Sequence, residues 1–203
     1  MDMIKVSEGA ESVVYAGSVA GIRCVIKSRI EKRYRISALD LRLRLYRTKN
    51  EARIMNAACK AGAKTPRVLL IDGFDLYMER IGGTTLNNMH KLRRAERSRI
   101  MQEAGRNLGL MHRADIAHGD YTPANIMFDA GMVYVIDFGL AEQTTSIEEK
   151  AIDLLLMKRS VEKSDYKTFE RAYARTSEEG AATIGRTRAI EMRGRYQTRT
   201  LAV

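Results

Sequence analysis

Asp120, Asn125 and Asp137 lie five and then twelve positions apart, in His118-Gly119-Asp120-Tyr121-Thr122-Pro123-Ala124-Asn125 and Val135-Ile136-Asp137-Phe138-Gly139. An aspartate in the first motif can accept the proton of an attacking hydroxyl. An asparagine and a second aspartate can offer oxygens to Mg²⁺ bridging nucleotide phosphates. Mg²⁺ is hard and takes oxygen ligands, and the phosphates complete its shell. Alone, Asp120 or Asn125 reads as a turn or N-cap residue. Followed by Asp137-Phe138-Gly139, they read as a phosphoryl-transfer cluster using ATP and Mg²⁺.

Such a cluster needs a cation on the phosphates. Lys27 ends an alternating run, Ile22 to Ser28, that directs its ammonium toward a cleft. Glu51, on the next helix, is the carboxylate expected to hold it, with Glu31 the nearby competitor. The stretch Ser7-Glu8-Gly9-Ala10-Glu11-Ser12 stands where a glycine-rich loop would cover phosphates, yet keeps one glycine and adds two carboxylates. The nucleotide site expected from these features comprises Val6, Ser7, Glu8, Gly9, Ala10, Glu11, Ser12, Val14, Lys27, Glu51, Glu79, Ile81, Asn125 and Asp137. Asn125 and Asp137 are the metal ligands, and Asp120 and Lys27 the catalytic pair. Thr122 occupies the place where a lysine commonly reaches the γ-phosphate, so slow turnover is expected. Asp153 is expected to cap the catalytic loop from below, and His112 and His118 to serve packing and hydrogen bonding.

These are the parts of a kinase fold, but the chain beyond Gly139 departs from the common pattern. Leu140 to Ile147 leads directly into an amphipathic helix, leaving no room for an activation segment ending in Ala-Pro-Glu. Gly119 replaces the arginine that would pair with a phosphorylated activation loop.

The supporting elements are read from periodicity. Strands are predicted at Ile4 to Val6, Val13 to Ala16, Ile22 to Ser28, Val68 to Ile71 and Leu76 to Met78. A helix is predicted over Leu39 to Ala61, with Leu41, Leu45, Ile54 and Ala58 as its apolar positions. Glu79-Arg80-Ile81-Gly82-Gly83 reads as a hinge whose glycines permit a sharp exit. Beyond it come a short helix at Asn87 to Lys91 and a longer one at Ala95 to Ala114, buried through Ile100, Ala104, Leu108 and Met111. Strands at Ile126 to Phe128 and Val133 to Ile136 come next. A helix to about Arg159 has Ser146 and Glu149 as a capping box, and another spans Asp165 to Thr176, presenting Phe169 and Tyr173. The expected fold class is α+β: a bilobal, protein-kinase-like chain with a five-stranded antiparallel small lobe and a reduced, mainly helical large lobe. Residues 1–79 form the small lobe, 80–185 the large lobe and 186–203 a basic tail.

A chain of 203 residues can hold one ample core or two small lobes around a cleft. Its two cysteines fit a reducing cytoplasm, and neither a membrane span nor a signal peptide is evident. A net charge of +10 points to a polyanionic partner or to a charge-rich soluble surface. Eight cations between Arg29 and Lys49 face Glu31 and Asp40, a pattern that usually means a solvated face. Near the end, Arg186, Arg188, Arg193, Arg195 and Arg199 accompany Tyr196 and suit RNA contact by a flexible tail.

The Glu-Gly-Ala-Glu loop, Lys27, Tyr34-Arg35, Leu39-Asp40, Glu51, His118-Gly119-Asp120, Asn125, Ile136 to Leu140, Lys150 to Leu154 and Arg193-Gly194-Arg195 together resemble one family. It is that of the small atypical serine/threonine kinase/ATPase of the KEOPS complex, the p53-related protein kinase family, similar to RIO kinases. The resemblance covers nearly the whole chain and implies an archaeal member. It also implies ATP hydrolysis or serine phosphorylation in support of threonylcarbamoylation of adenosine beside the tRNA anticodon. The implied partners are a threonylcarbamoyl-transferring subunit, a small accessory subunit and tRNA. The rival readings are a small-molecule phosphotransferase of the aminoglycoside or choline type, and a scaffold that holds ATP without turnover.

Overall fold

Alternating apolar and polar residues near the N-terminus produce three antiparallel strands, β1 Ile4–Glu8, β2 Ser12–Val19 and β3 Ile22–Arg29. The computed structural model describes residues 3–200, without the side chains of residues 88–90 and 194–200. After helix α1, Ser37–Lys60, strands β4 Val68–Asp72 and β5 Asp75–Glu79 complete a five-stranded antiparallel sheet in the order β1-β2-β3-β5-β4. Lys27 lies opposite Val14 of β2 and Leu76 of β5. Cross-strand partners share a face of the pleat. Leu76 belongs to the core formed with Ala52, Met55 and Ala58 of α1, so the Lys27 face is the one the helix covers.

The large lobe begins with β6, Thr84–Thr85, a 3₁₀ turn at Leu86–Lys91 and α2, Arg94–Arg113. Next come β7 Ile116–Ala117, a 3₁₀ turn at Pro123–Asn125, β8 Ile126–Asp129, β9 Met132–Val135 and β10 Glu142–Gln143. Three helices close the lobe: α3 Ile147–Ser160, α4 Lys163–Thr176 and α5 Gly180–Thr200. Ile100, Ala104, Leu108 and Met111 of α2 are buried, as expected, against Phe169 and Tyr173 of α4 and Leu154 and Met157 of α3. Each Ile, Leu, Met or Phe side chain among them, taken fully from water, contributes roughly 1.5–3 kcal/mol.

Several expectations need correction. The first fifteen residues of α1 bury polar groups rather than a leucine stripe: Asp40, Thr48 and Glu51 are inside, and Leu41 is 48% exposed. Those polar groups are inside because each has ionic or hydrogen-bonding partners, which hydrophobic periodicity cannot register. The hinge glycines are not in the left-handed region. Gly83 is required because a Cβ there would lie 1.9 Å from the Phe128 carbonyl oxygen. Residues from 186 onward do not begin an irregular tail; they continue α5 through Thr200. Ser146 accepts from the Glu149 backbone N–H, but the reciprocal half of the capping box is replaced by Thr144, whose Oγ1 takes the Ser146 N–H at 3.0 Å.

Helices α2 and α4 approach closely because Gly105 lies against the Phe169 carbonyl, 2.3 Å from where a Cβ would stand. Gly105→Ala should therefore lower stability by about 1–3 kcal/mol through overpacking. Gly185→Ala, with nothing near its Cβ position, should be neutral or stabilising by up to about 1 kcal/mol. Thermal melts of the two variants check the contrast.

Candidate active site

The strand alternation that turns Lys27 toward α1 also delivers Arg29, two residues on, to the same side. Lys27 Nζ lies 2.7 Å from Glu51 Oε1 and 2.7 Å from Asp137 Oδ1. Arg29 donates to the other oxygen of Glu51 at 2.6 Å. All three side chains of the Glu51 group are nearly removed from water, Glu51 itself being 2% exposed. Arg29 was not among the residues expected here, although its i+2 spacing from Lys27 was the available signal. Glu31 is exposed and makes no such contact.

Burial disfavours the Lys27 ammonium, but Glu51 and Asp137 outweigh it and leave the pKa above the ordinary lysine value. For Asp137, burial raises the carboxyl, yet Lys27 and the Gly139 N–H more than compensate and hold it below the usual aspartate value. Both members therefore stay charged at neutral pH, and this pair weakens as pH falls through the depressed Asp137 value or rises through the raised Lys27 value.

The turn over the cleft is shorter than the sequence suggested, because Ser7 and Glu8 belong to β1 and Ser12 to β2. Val6 lies at the irregularity where the β1–β2 register shifts and is exposed, whereas Ser7 and Val14 face each other across the ladder. The carboxylates do not project free negative charge into the cleft. Glu8 pairs with Lys5, and both Glu11 oxygens lie 2.5 Å from Arg47, with Arg29 at 3.6 Å and Arg35 at 3.7 Å. Hydrogen bonding to Arg47 leads the effects that lower the Glu11 pKa. Lys32 donates to the Ala10 carbonyl, and buried Asp40 receives Arg44 at 2.6 Å, the Lys32 N–H at 3.2 Å and Arg35 at 3.5 Å. Five of the eight cations between Arg29 and Lys49 thus have partners within the chain, and the Arg29, Arg35 and Arg44 side chains are largely withdrawn from water, which corrects the reading of the run as a wholly solvated face.

Below the sheet, Asn125 Nδ2 donates to Asp120 Oδ2 at 2.8 Å and to the Asp120 carbonyl at 2.9 Å. That orientation is set by the hydrogen-bond network and leaves Asn125 Oδ1 with no donor among the described residues. Asp137 holds a left-handed φ of 59°, a conformation aspartate tolerates better than most residues. Among the described residues, no group of three or more His, Cys, Asp or Glu could hold a metal unaided. The oxygens of Asn125 and Asp137 fit a hard cation whose other ligands are phosphates or water. Glu79 closes β5 with its side chain on Arg67 at 3.0 Å, and Ile81 comes just after it at the lobe junction.

The loop that carries Asp120 is held from beneath. Asp153 of α3 is fully buried and accepts from the N–H groups of His118, at 2.7 Å, and Gly119, at 2.9 Å. His112 Nε2 lies 3.1 Å from the same carboxylate, with Nδ1 2.8 Å from the Tyr173 hydroxyl. Burial holds His112 below the ordinary histidine pKa, against the pull of Asp153. His118 Nε2 reaches the Ile136 carbonyl at 3.1 Å and ties the two motifs together. Gly119 has φ +78°, and a Cβ on it would stand 2.6 Å from the Leu140 carbonyl oxygen. The chain after Asp137-Phe138-Gly139 can cross here only because position 119 has no side chain. It then pairs as β10 with β7.

Of the expected tail arginines, Arg186 pairs with Glu148 and Arg188 lies 3.8 Å from Glu170. Arg193 is exposed on α5, and the side chains of Arg195 and Arg199 lie outside the described residues.

The RIO domain profile matches residues 25–179, spanning both motifs and the Lys27–Glu51 pair. The chain is 39% identical to the KEOPS complex subunit Bud32 of Pyrococcus abyssi, over 98% of each chain. The chain is a RIO-domain protein of the Bud32 family. A probable serine/threonine-protein kinase BUD32 homolog of Archaeoglobus fulgidus is 38% identical, with 92% of this chain and 97% of that one covered. A probable bifunctional tRNA threonylcarbamoyladenosine biosynthesis protein of Methanothermobacter thermautotrophicus is 37% identical over 94% of this chain but only 36% of its own length. Among solved structures, WaaP in complex with acyl carrier protein aligns with a TM-score of 0.63 at 16% identity. It covers 93% of this chain and 87% of its own, a likeness of fold alone. The Bud32 fold therefore combines a kinase-like frame with a segment after Asp-Phe-Gly too short for an activation loop. No described helix is long and apolar enough to cross a membrane.

Removing Asp153 would leave the buried His118 N–H and the part-buried Gly119 N–H without their acceptor. Asp153→Ala should cost about 2–5 kcal/mol. Amide hydrogen exchange at His118 and Gly119 should accelerate more than the global loss of stability explains.

Proposed function

We propose that this Bud32-family chain is an atypical serine/threonine kinase and ATPase that works within a KEOPS complex in support of tRNA threonylcarbamoylation. The observation that carries this reading is the convergence of Lys27, Glu51 and Asp137 through contacts of 2.7 Å, with the Ile136 N–H on the Asn125 carbonyl at 2.9 Å joining the Asn125–Asp120 pair to the residue before Asp137. In this reading Lys27, held by Glu51, neutralises phosphate charge, and the turn Gly9-Ala10-Glu11 covers the phosphates from above. Val14, Glu79 and Ile81 border the nucleotide, and Asn125 and Asp137 hold the metal. Bound Mg²⁺ would supply charge neutralisation on the nucleotide phosphates. Asp120 orients the nucleophile and accepts its proton, with Asn125 fixing the carboxylate. The acceptor is water in the assembly and a protein serine in isolation. Thr122 adds no cation to the transferring phosphoryl group, so turnover is slow.

The KEOPS assignment rests on relatives named as subunits of that complex and matched over most of their length. The match to one part of a longer tRNA threonylcarbamoyladenosine biosynthesis protein supports close work with a threonylcarbamoyl-transferring unit. A small accessory subunit and tRNA complete the partners, and the setting is cytoplasmic.

Reconstitution with the transferring subunit, accessory subunit, tRNA and Mg²⁺-ATP tests this. Asp120→Ala and Asp137→Ala should reduce ATP hydrolysis by about 10²–10⁴-fold while the complex still assembles, and tRNA modification should fall with it. Modification at the wild-type rate by both variants would make the chain a scaffold instead.

A further inference from the structure

Helix α4 carries Lys163, Lys167, Arg171 and Arg175, one cation every fourth residue. All four are exposed, and none forms an ion pair or side-chain hydrogen bond with any described residue. Spacing of four places successive members on one stripe, over a helical rise of about 18 Å. The buried side of the helix is opposite, where Asp165, Tyr166, Phe169 and Tyr173 meet the interior. The acidic residues of α4 do not relieve the stripe: Asp165 turns to Arg97 at 2.6 Å, and Glu170 faces Arg188 of α5. Three consecutive like-charged i,i+4 pairs therefore remain, each of them destabilising to a helix. A surface selected only for solubility would intersperse the two signs. The basic run of the small lobe behaves differently, since Arg29, Arg35, Arg44 and Arg47 all have acidic partners.

From this we infer that the stripe on α4 is a docking surface for the phosphate backbone of RNA. The inference rests on the proposed role in tRNA modification and gives RNA a place that the sequence-based tail assignment did not. A nucleic-acid strand carries a phosphate about every 3.4 Å along its axis, so a ladder of this length can meet several at once. Lysine and arginine side chains on an exposed helix gain affinity by releasing condensed counterions, which makes the contact salt-dependent and largely indifferent to sequence.

The test uses the full chain, a labelled tRNA transcript and fluorescence anisotropy between about 50 and 200 mM salt, the range in which such contacts weaken steeply. The ladder variant is K163Q/K167Q/R171Q/R175Q, whose glutamines keep helix propensity. The control is R23Q/R33Q/R42Q/K49Q, which removes the same charge from exposed, unpaired positions of the small lobe. The ladder variant should lose tenfold or more in affinity. The slope of log K against log salt should fall by about 3, four contacts at roughly 0.7–0.9 each. The control should keep its slope to within about one contact. An unchanged ladder variant, an equal loss in the control, or tighter binding to anionic lipid vesicles than to tRNA would overturn the inference. ATP hydrolysis by the same preparations should be unchanged in both variants. Unchanged RNA binding by the ladder variant with intact hydrolysis is failure of this inference alone, whereas absent hydrolysis in the wild type is failure of the phosphotransferase reading.

Discussion

One buried carboxylate organises the upper half of the cleft. Glu51 divides its two oxygens between Lys27 and Arg29. Lys27 extends the chain of charges to Asp137, and Arg29 extends it to Glu11 in the turn above. Burying a cation without a partner is costly, and two cations with one shared acid are tolerable only if further acids complete the set. Glu11 and Asp137 do so from opposite ends. The sheet, the helix, the covering turn and the Asp-Phe-Gly segment are thereby linked through side chains rather than through a long ordered loop.

The lower half solves a different problem, which is how to hold the Asp120 loop without a long segment after Asp-Phe-Gly to brace it. Asp153 accepts two loop N–H groups and a histidine contact, and Gly119 clears a path for Leu140. The chain then pairs with the strand just before the loop. The deletion is accommodated by a direct crossing that a side chain at position 119 would block. The arginine found at this point in other kinases would have neither a phosphorylated partner nor space.

Much of the fold was legible in the sequence because it depends on period. The five strands, the α2 stripe of Ile100, Ala104, Leu108 and Met111, and the Phe169–Tyr173 face all rest on alternation or helical spacing. The motif residues were legible because Asp120, Asn125 and Asp137 occur at a spacing with chemical meaning. What escaped notice was ionic. Arg29 and Asp40 looked like members of a surface charge run, since nothing in a sequence marks a charge as buried until its partner is located. The helical state of the chain beyond Arg186 was obscured by an abundance of arginine that also suits an irregular tail. The two-residue strands β6, β7 and β10 are too short for any periodicity to reveal.

The most direct test of this arrangement is a double-mutant cycle on Glu51 and Arg29, with unfolding free energy and ATP hydrolysis measured on each protein. Glu51→Gln should destabilise by about 3–5 kcal/mol, because Lys27 and Arg29 lose their common counter-charge. Adding Arg29→Met should restore part of that stability by removing a stranded cation, with hydrolysis remaining lost. A Glu51→Gln protein as stable and as active as the wild type would contradict the account.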